Sequence, residues 1–267
     1  MSKDLREQGV ESPIRMAVAD GVARIAIDRP TSRNSLNIAA MGLLASTLER
    51  AGHRDDVRCI VLTGTGEAFC SGADLSDVPG PDAEVDRHLD MMHVTSRVIG
   101  AVTASPVPVI AMVRGPAAGV GASLALACDL VVASCDAYFL LPFAGIGLLP
   151  DGGATVTVAA SIGRARAMRL ALRRERLDAG AAFDSGLIAA TCDPGDLEAT
   201  VDQWAQDLAN GPSAALSSTK AAINASTLAH LPEALARETR EQARLLGSQD
   251  FREGVSAFLE RRRPVFD

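Results

Sequence analysis

The stretch VIAMVRGPAAGVGASLALACD, Val109 to Asp129, decides the fold. Val109 to Val113 is a continuous apolar run of the kind a buried strand shows. Gly115 to Gly121 breaks it with a glycine-rich turn. An apolar, alanine-rich segment with helical character then runs to Cys128. Strand, tight glycine turn and helix together aim backbone N–H groups and the positive end of a helix dipole at one point. Such a point suits an anion, either a phosphate or a developing oxyanion. The competing reading is a glycine turn that only lets a helix pack close to a strand.

The phosphate motifs fit poorly. A Walker A loop ends in Gly-Lys-Ser/Thr, whereas Gly121 is followed by Ala122 and Ser123. The dinucleotide fingerprint GxGxxG is approached by Gly119-Val120-Gly121, but its third glycine position holds Leu124.

Working outward, 267 residues at 48% hydrophobic suffice for a sizeable core. The 22% charged fraction argues against large-scale disorder. A net charge of −7 argues against a general nucleic-acid binder. Cys59, Cys70, Cys128, Cys135 and Cys192 form no CxxC pair and read as buried thiols in a reducing compartment. The four histidines show no paired ligand spacing, so no metal site is expected. MSKDLREQGVES lacks the apolar core of a secretory signal, and no uncharged apolar run reaches membrane-spanning length. The expectation is a cytoplasmic protein without nucleic-acid or membrane partners.

Ile14 to Ala19 and Val22 to Ile27 alternate around Asp20-Gly21, a hairpin signal. Asn37 suits the N-cap of a helix over Ile38 to Ala51. Arg58 to Leu62 reads as a strand and Pro79-Gly80-Pro81 as an exposed, mobile loop. A long helix is expected over Ala83 to Thr103. Strands are expected over Asp129 to Ala133, Ala137 to Leu140 and Leu187 to Thr191, and a helix from about Gly153. A short helix should cover Asp178 to Ser185. Four helical segments follow: Pro194 to Asn210, Pro212 to Asn224, Pro232 to Leu246 and Asp250 to Arg262. The division is an α/β core over 1–195 and an α-helical region over 196–267.

A second glycine loop, Phe69-Cys70-Ser71-Gly72-Ala73-Asp74, also follows a strand. Two such loops can each present a backbone N–H to one carbonyl oxygen, as an oxyanion hole requires. The run LTGTGEAFCSGADL, then PVIAMVRGPAAGVGASLALACDL, then FAGIGLLPDGG is similar to the crotonase (enoyl-CoA hydratase/isomerase) superfamily. RPTSRNSLN near the start and AFLERRRPVFD at the end resemble the same family.

That resemblance implies a core of repeated ββα turns with a helical trimerisation region behind it, assembled as a homotrimer or a dimer of trimers. It implies an acyl-CoA thioester as ligand, with coenzyme A as part of the substrate and no permanently bound cofactor. The thioester oxygen would sit between N–H groups corresponding to Ser71 and Val120, with Gly72, Ala73 and Asp74 beside it. Phe258 and Arg261 match family positions that contact coenzyme A, often on a neighbouring subunit. Arg29 and Arg33 are candidates for its phosphates, against a solvated loop. Asp74 has a competing reading as a local cap.

Hydratases of the family carry two glutamates at positions that here are Ser123 and Phe143. Neither a lone serine nor a phenylalanine can replace them. One carboxylate remains on the same loop, Asp151, at a position where isomerases of the superfamily carry an aspartate. YFLLPFAGIGLLPDGG looks more like the ring-opening epoxyphenylacetyl-CoA isomerase group than like the hydratases. The expected activity is therefore double-bond isomerisation of an enoyl-CoA with Asp151 as acid and base. A hydratase with a non-standard site and a non-catalytic acyl-CoA binder are the alternatives. Asp151 as a helix N-cap is the structural alternative for that residue. Phe143 reads as a pocket wall, and Met91, Met92 and Val94 as a buried helix face or an acyl pocket.

Overall fold

The computed structural model describes residues 12–80 and 83–266. Residues 1–11 of the leading segment, and Pro81 of the Pro79-Gly80-Pro81 loop, lie outside the described residues.

Strands β1 (Ile14–Ala19) and β2 (Val22–Ile27) pair antiparallel across Asp20-Gly21, both at positive φ as a tight hairpin turn requires. From β2 the sheet continues in parallel through β3 (Cys59–Gly64), β4 (Val109–Val113), β6 (Leu130–Ser134) and β9 (Ala190–Cys192). Helices cover both faces, so the central strands are apolar throughout rather than alternating. On β3, Ile60 and Leu62 join one buried cluster while Cys59 and Val61 join the other. The first cluster packs against α1 (Ile38–Gly52), α2 (Val85–Thr103) and α3 (Val120–Ala127). The second is closed by Leu197, Val201 and Ala205 of α6 (Leu197–Ala209).

A smaller sheet holds β5 (Pro116–Ala118), β7 (Tyr138–Leu140) and β8 (Leu177–Asp178). The segment Gly115 to Gly121, expected as turn throughout, thus contains a short strand. Leu187 to Thr191 was expected as a strand, but pairing begins only at Ala190, where β9 meets β6. The remaining helices are α4 (Ala154–Arg173), α5 (Ala179–Asp184), α7 (Ser213–Thr227), α8 (Leu231–Leu246) and α9 (Gln249–Leu259). Among the described residues no helix is long and apolar enough to cross a membrane. Lys220 is the buried residue of α7; it pairs with Asp129 at 2.8 Å and donates to the Val102 carbonyl at 2.9 Å.

The RPTSRN turn after β2 is organised by Asn34, fully buried at φ 58°. Its Oδ1 accepts from Arg29 N at 2.9 Å, and its Nδ2 donates to the Thr65 and Ala68 carbonyls at 2.9 and 2.7 Å. One amide thereby ties this turn to the loop that follows β3. Asn34→Ala would leave those carbonyls unpaired and put alanine in left-handed backbone. Urea denaturation should show a loss of about 2–4 kcal/mol with an unchanged m-value.

Candidate active site

Ligands of parallel sheets bind beyond the carboxyl ends of the strands. The loops that leave β3 and β4 meet there. Gly72 has φ 106° and Gly119 has φ 55°, conformations that suit glycine. A Cβ on Gly72 would lie 3.0 Å from the Ala118 carbonyl and 3.6 Å from Gly119 Cα, so the backbones touch. Cys70 pairs with Ala117 as an isolated parallel bridge and locks the same contact.

A cavity of about 160 Å³ opens at this junction. Met41, Met91, Phe143, Leu148, Leu246 and Phe251 are among its apolar walls, and Phe258 stands at it while remaining 61% exposed. Phe143 opens a 3₁₀ turn, Phe143–Ile146, and is a wall residue. Met91 lines the cavity; Met92 is in the core and Val94 packs against it. Ser71, Gly72, Ala73, Gly119, Val120 and Asp151 all border the same space.

The expected donor pair needs one correction. The Ser71 N–H is committed to the Arg33 carbonyl at 3.0 Å, because the Asn34-centred turn lies directly against it. The uncommitted N–H in this loop is that of Ala73, which has no acceptor among the described residues. Val120, at the first position of α3, likewise has no acceptor among them. These N–H groups, one of them at a helix N-terminus, can stabilise negative charge on one oxygen.

Asp74 and the two arginines also differ from expectation. Asp74 does not line the cavity; its carboxylate is spent on Arg29 at 2.9 Å and on the Ser76 hydroxyl at 2.7 Å. The Ser76 hydroxyl and the Arg29 guanidinium hold it below the usual carboxylate range. Arg29 is thus tied within the protein, while Arg33 is exposed. Arg261 lies beyond α9, exposed and outside the cavity wall.

Asp151 is the titratable side chain on the cavity wall among the described residues, and it is 6% exposed. It does not cap α4: Gly153 is the cap position and no side chain of its own bonds there. Instead Glu238 of α8 takes the Gly153 N–H at 2.8 Å and the Thr155 hydroxyl. Asp151 Oδ2 accepts from Gln242 Nε2 at 2.8 Å, and Oδ1 has no partner among the described residues. Burial pushes this carboxyl from 3.8 up to about 7; the Gln242 hydrogen bond opposes the rise and the negative field of Glu238 adds to it. Ser123, fully buried, donates to the Asp151 carbonyl at 2.7 Å. It therefore anchors the loop that carries the carboxyl. Sequence reasoning missed Gln242 and Glu238 altogether.

The folded state holds a proton on Asp151 between about pH 4 and 7 that the unfolded chain has lost, so stability falls as pH rises through that window. The displacement to about 7 is worth at most ~4 kcal/mol. Asp151→Asn should be more stable than the parent by roughly 2–4 kcal/mol at pH 8, and the gap should close toward pH 4 in paired denaturation curves.

The enoyl-CoA hydratase/isomerase family model matches residues 17–267. A probable enoyl-CoA hydratase of Rhodobacter capsulatus is 44% identical over 253 residues, covering 95% of this chain and 97% of that protein. The 1,2-epoxyphenylacetyl-CoA isomerase of Escherichia coli is 39% identical over 254 residues, covering 93% and 96%. The crystal structure of an enoyl-CoA hydratase from Mycobacterium avium subsp. paratuberculosis superposes with a TM-score of 0.88 at 43% identity, covering 96% of this chain and 98% of that one. With two donor loops meeting at a buried carboxyl, and with these matches along nearly its whole length, the chain belongs to the enoyl-CoA hydratase/isomerase family of the crotonase superfamily.

Proposed function

We propose that the protein isomerises the double bond of an enoyl-CoA thioester, with Asp151 as its proton-transfer group. The observation that carries this reading is a carboxyl, alone on an apolar cavity wall among the described residues, pushed up to about 7, with one oxygen unpartnered among them. In a 3-enoyl thioester, the Asp151 carboxylate takes a proton from C2. The electrons move onto the thioester oxygen, which sits between the Ala73 and Val120 N–H groups. Each such donor is worth about 3 kcal/mol to the transition state. The protonated carboxyl then returns its proton to C4, the electron pair closes the C2–C3 double bond, and the enzyme is unchanged. A carboxyl poised near neutrality is suited to both halves of this exchange.

The substrate is an acyl-CoA, no permanent cofactor takes part, and the region after residue 196 serves assembly into a homotrimer or a dimer of trimers. Exposed Met168, Leu172 and Ile223 supply apolar surface for such an assembly. In that assembly Arg261 and Phe258 serve coenzyme A. The name of the Rhodobacter relative favours a second reading, enoyl-CoA hydration. Against it stands the cavity wall, which offers Asp151 but no second carboxylate among the described residues.

A paired assay separates the two. Isomerisation of a 3-enoyl-CoA raises the conjugated enoyl absorbance, and hydration of crotonyl-CoA lowers it. Asp151→Asn should abolish the rise while the variant still binds a saturated acyl-CoA, and full turnover by that variant would refute the reading. In the parent enzyme kcat/KM should climb about tenfold per pH unit up to about pH 7 and level off above, since the base must be ionised to accept the proton.

A further inference from the structure

α8 presents a buried polar row to the site: Glu238, Thr239 and Gln242, all nearly inaccessible. Thr239 bonds Ser96 of α2 at 3.3 Å, and Glu238 holds the start of α4. Gln242 is placed differently. Its Oε1 accepts from Leu149 N at 3.1 Å, and its Nε2 donates to the carbonyl of the same residue at 3.0 Å. This pairing fixes which end of the amide is which, because a flipped amide would set N–H against N–H and oxygen against oxygen. The second Nε2 hydrogen is then directed at Asp151 Oδ2. An oxygen that receives a fixed N–H cannot also carry a proton along the same line.

We propose that Gln242 is a positioning residue that divides the labour of the Asp151 carboxyl, holding Oδ2 as a permanent acceptor and leaving Oδ1 as the oxygen that takes and returns the proton. This rests on the reading of Asp151 as the proton-transfer group. Leu149 is the template, Gln242 the intermediary, and Asp151 Oδ1 the acting atom. The charged group that faces this carboxyl among the described residues is Glu238, whose field acts in the opposite sense to the Gln242 bond. Two residues one turn apart on α8 thus set the proton affinity of the base from opposite sides.

The experiment is a carbon-13 NMR titration of the Asp151 carboxyl in enzyme labelled at aspartate, with Asp151→Asn for assignment. It needs no turnover, so it stands apart from the isomerase assay. Gln242→Leu removes the donor. Gln242→Met also removes it while keeping the side chain's length and adding no charge, which guards against misfolding of the first variant. The midpoint should rise by one unit or more in both, and it should fall in Glu238→Gln, where the donor remains and the negative field is gone. Saturated acyl-CoA affinity should change far less than kcat in Gln242→Met, with kcat reduced ten- to a hundredfold. A residue that merely braced the loop would admit water when replaced and let the midpoint fall toward the ordinary aspartate range. A falling or unmoved midpoint in the Gln242 variants overturns the proposal. The predicted shifts in an enzyme that isomerises no enoyl thioester would uphold the role of Gln242 and refute the isomerase reading alone.

Discussion

A carboxyl group kept out of water with no cation beside it is the constraint around which this molecule is arranged. Desolvation of Asp151 works against folding at neutral pH, and no positive charge among the described residues offsets it. What holds the group in place is hydrogen bonding to its surroundings. Ser123 of α3 grips its carbonyl, Gln242 of α8 grips one side-chain oxygen, and Glu238 takes over the helix start that an aspartate there would otherwise cap. The energy stored in the unpaired oxygen is supplied by the packing of α2, α3, α4 and α8, and it is a cost of the kind functional sites carry.

The donor side of the site rests on a second constraint, the contact between two backbones. The loops after β3 and β4 approach closely only because Gly72 and Gly119 lack side chains and hold positive φ. Asn34 connects this contact to the turn after β2, and that turn in turn occupies the Ser71 N–H. Position along the loop, not residue type, therefore leaves the Ala73 N–H without an acceptor among the described residues. Its side chain contributes nothing beyond being small.

Much of this was legible beforehand. The parallel strands announced themselves as short apolar runs ending in glycine turns, and the hairpin as Asp20-Gly21 between alternating segments. Asn37 caps α1 through Ala40 N, as its place before the helix suggests. Other features had no local signature. β8 has two residues and β5 three, too few for a period to register. Whether the Ser71 N–H is free depends on where the Arg33 carbonyl arrives, which is a matter of tertiary packing. Gln242 lies in LPEALARETREQARLL, where Leu231, Leu235 and Leu246 mark an inward face that Glu238 and Gln242 share, but the polar character of those two masks the spacing. A buried glutamine in an amphipathic helix looks like a solvated one until its partner, from the middle of the chain, is known.

The place of α8 in the chain order has a further consequence for synthesis. The loop bearing Asp151 is complete once residue 153 has been made, but Glu238 follows 85 residues after Gly153, and Gln242 one helical turn later. Until α8 docks, the Leu149 N–H and carbonyl lack their clamp, and Asp151 Oδ2 lacks its donor. A chain in which α8 has not yet docked therefore lacks both the Gln242 hydrogen bond and the Glu238 field that act on this carboxyl. On the proposed reading of Asp151 as the proton-transfer group, activity would begin only once α8 has docked, so that its onset would report the closure of that helix over the site.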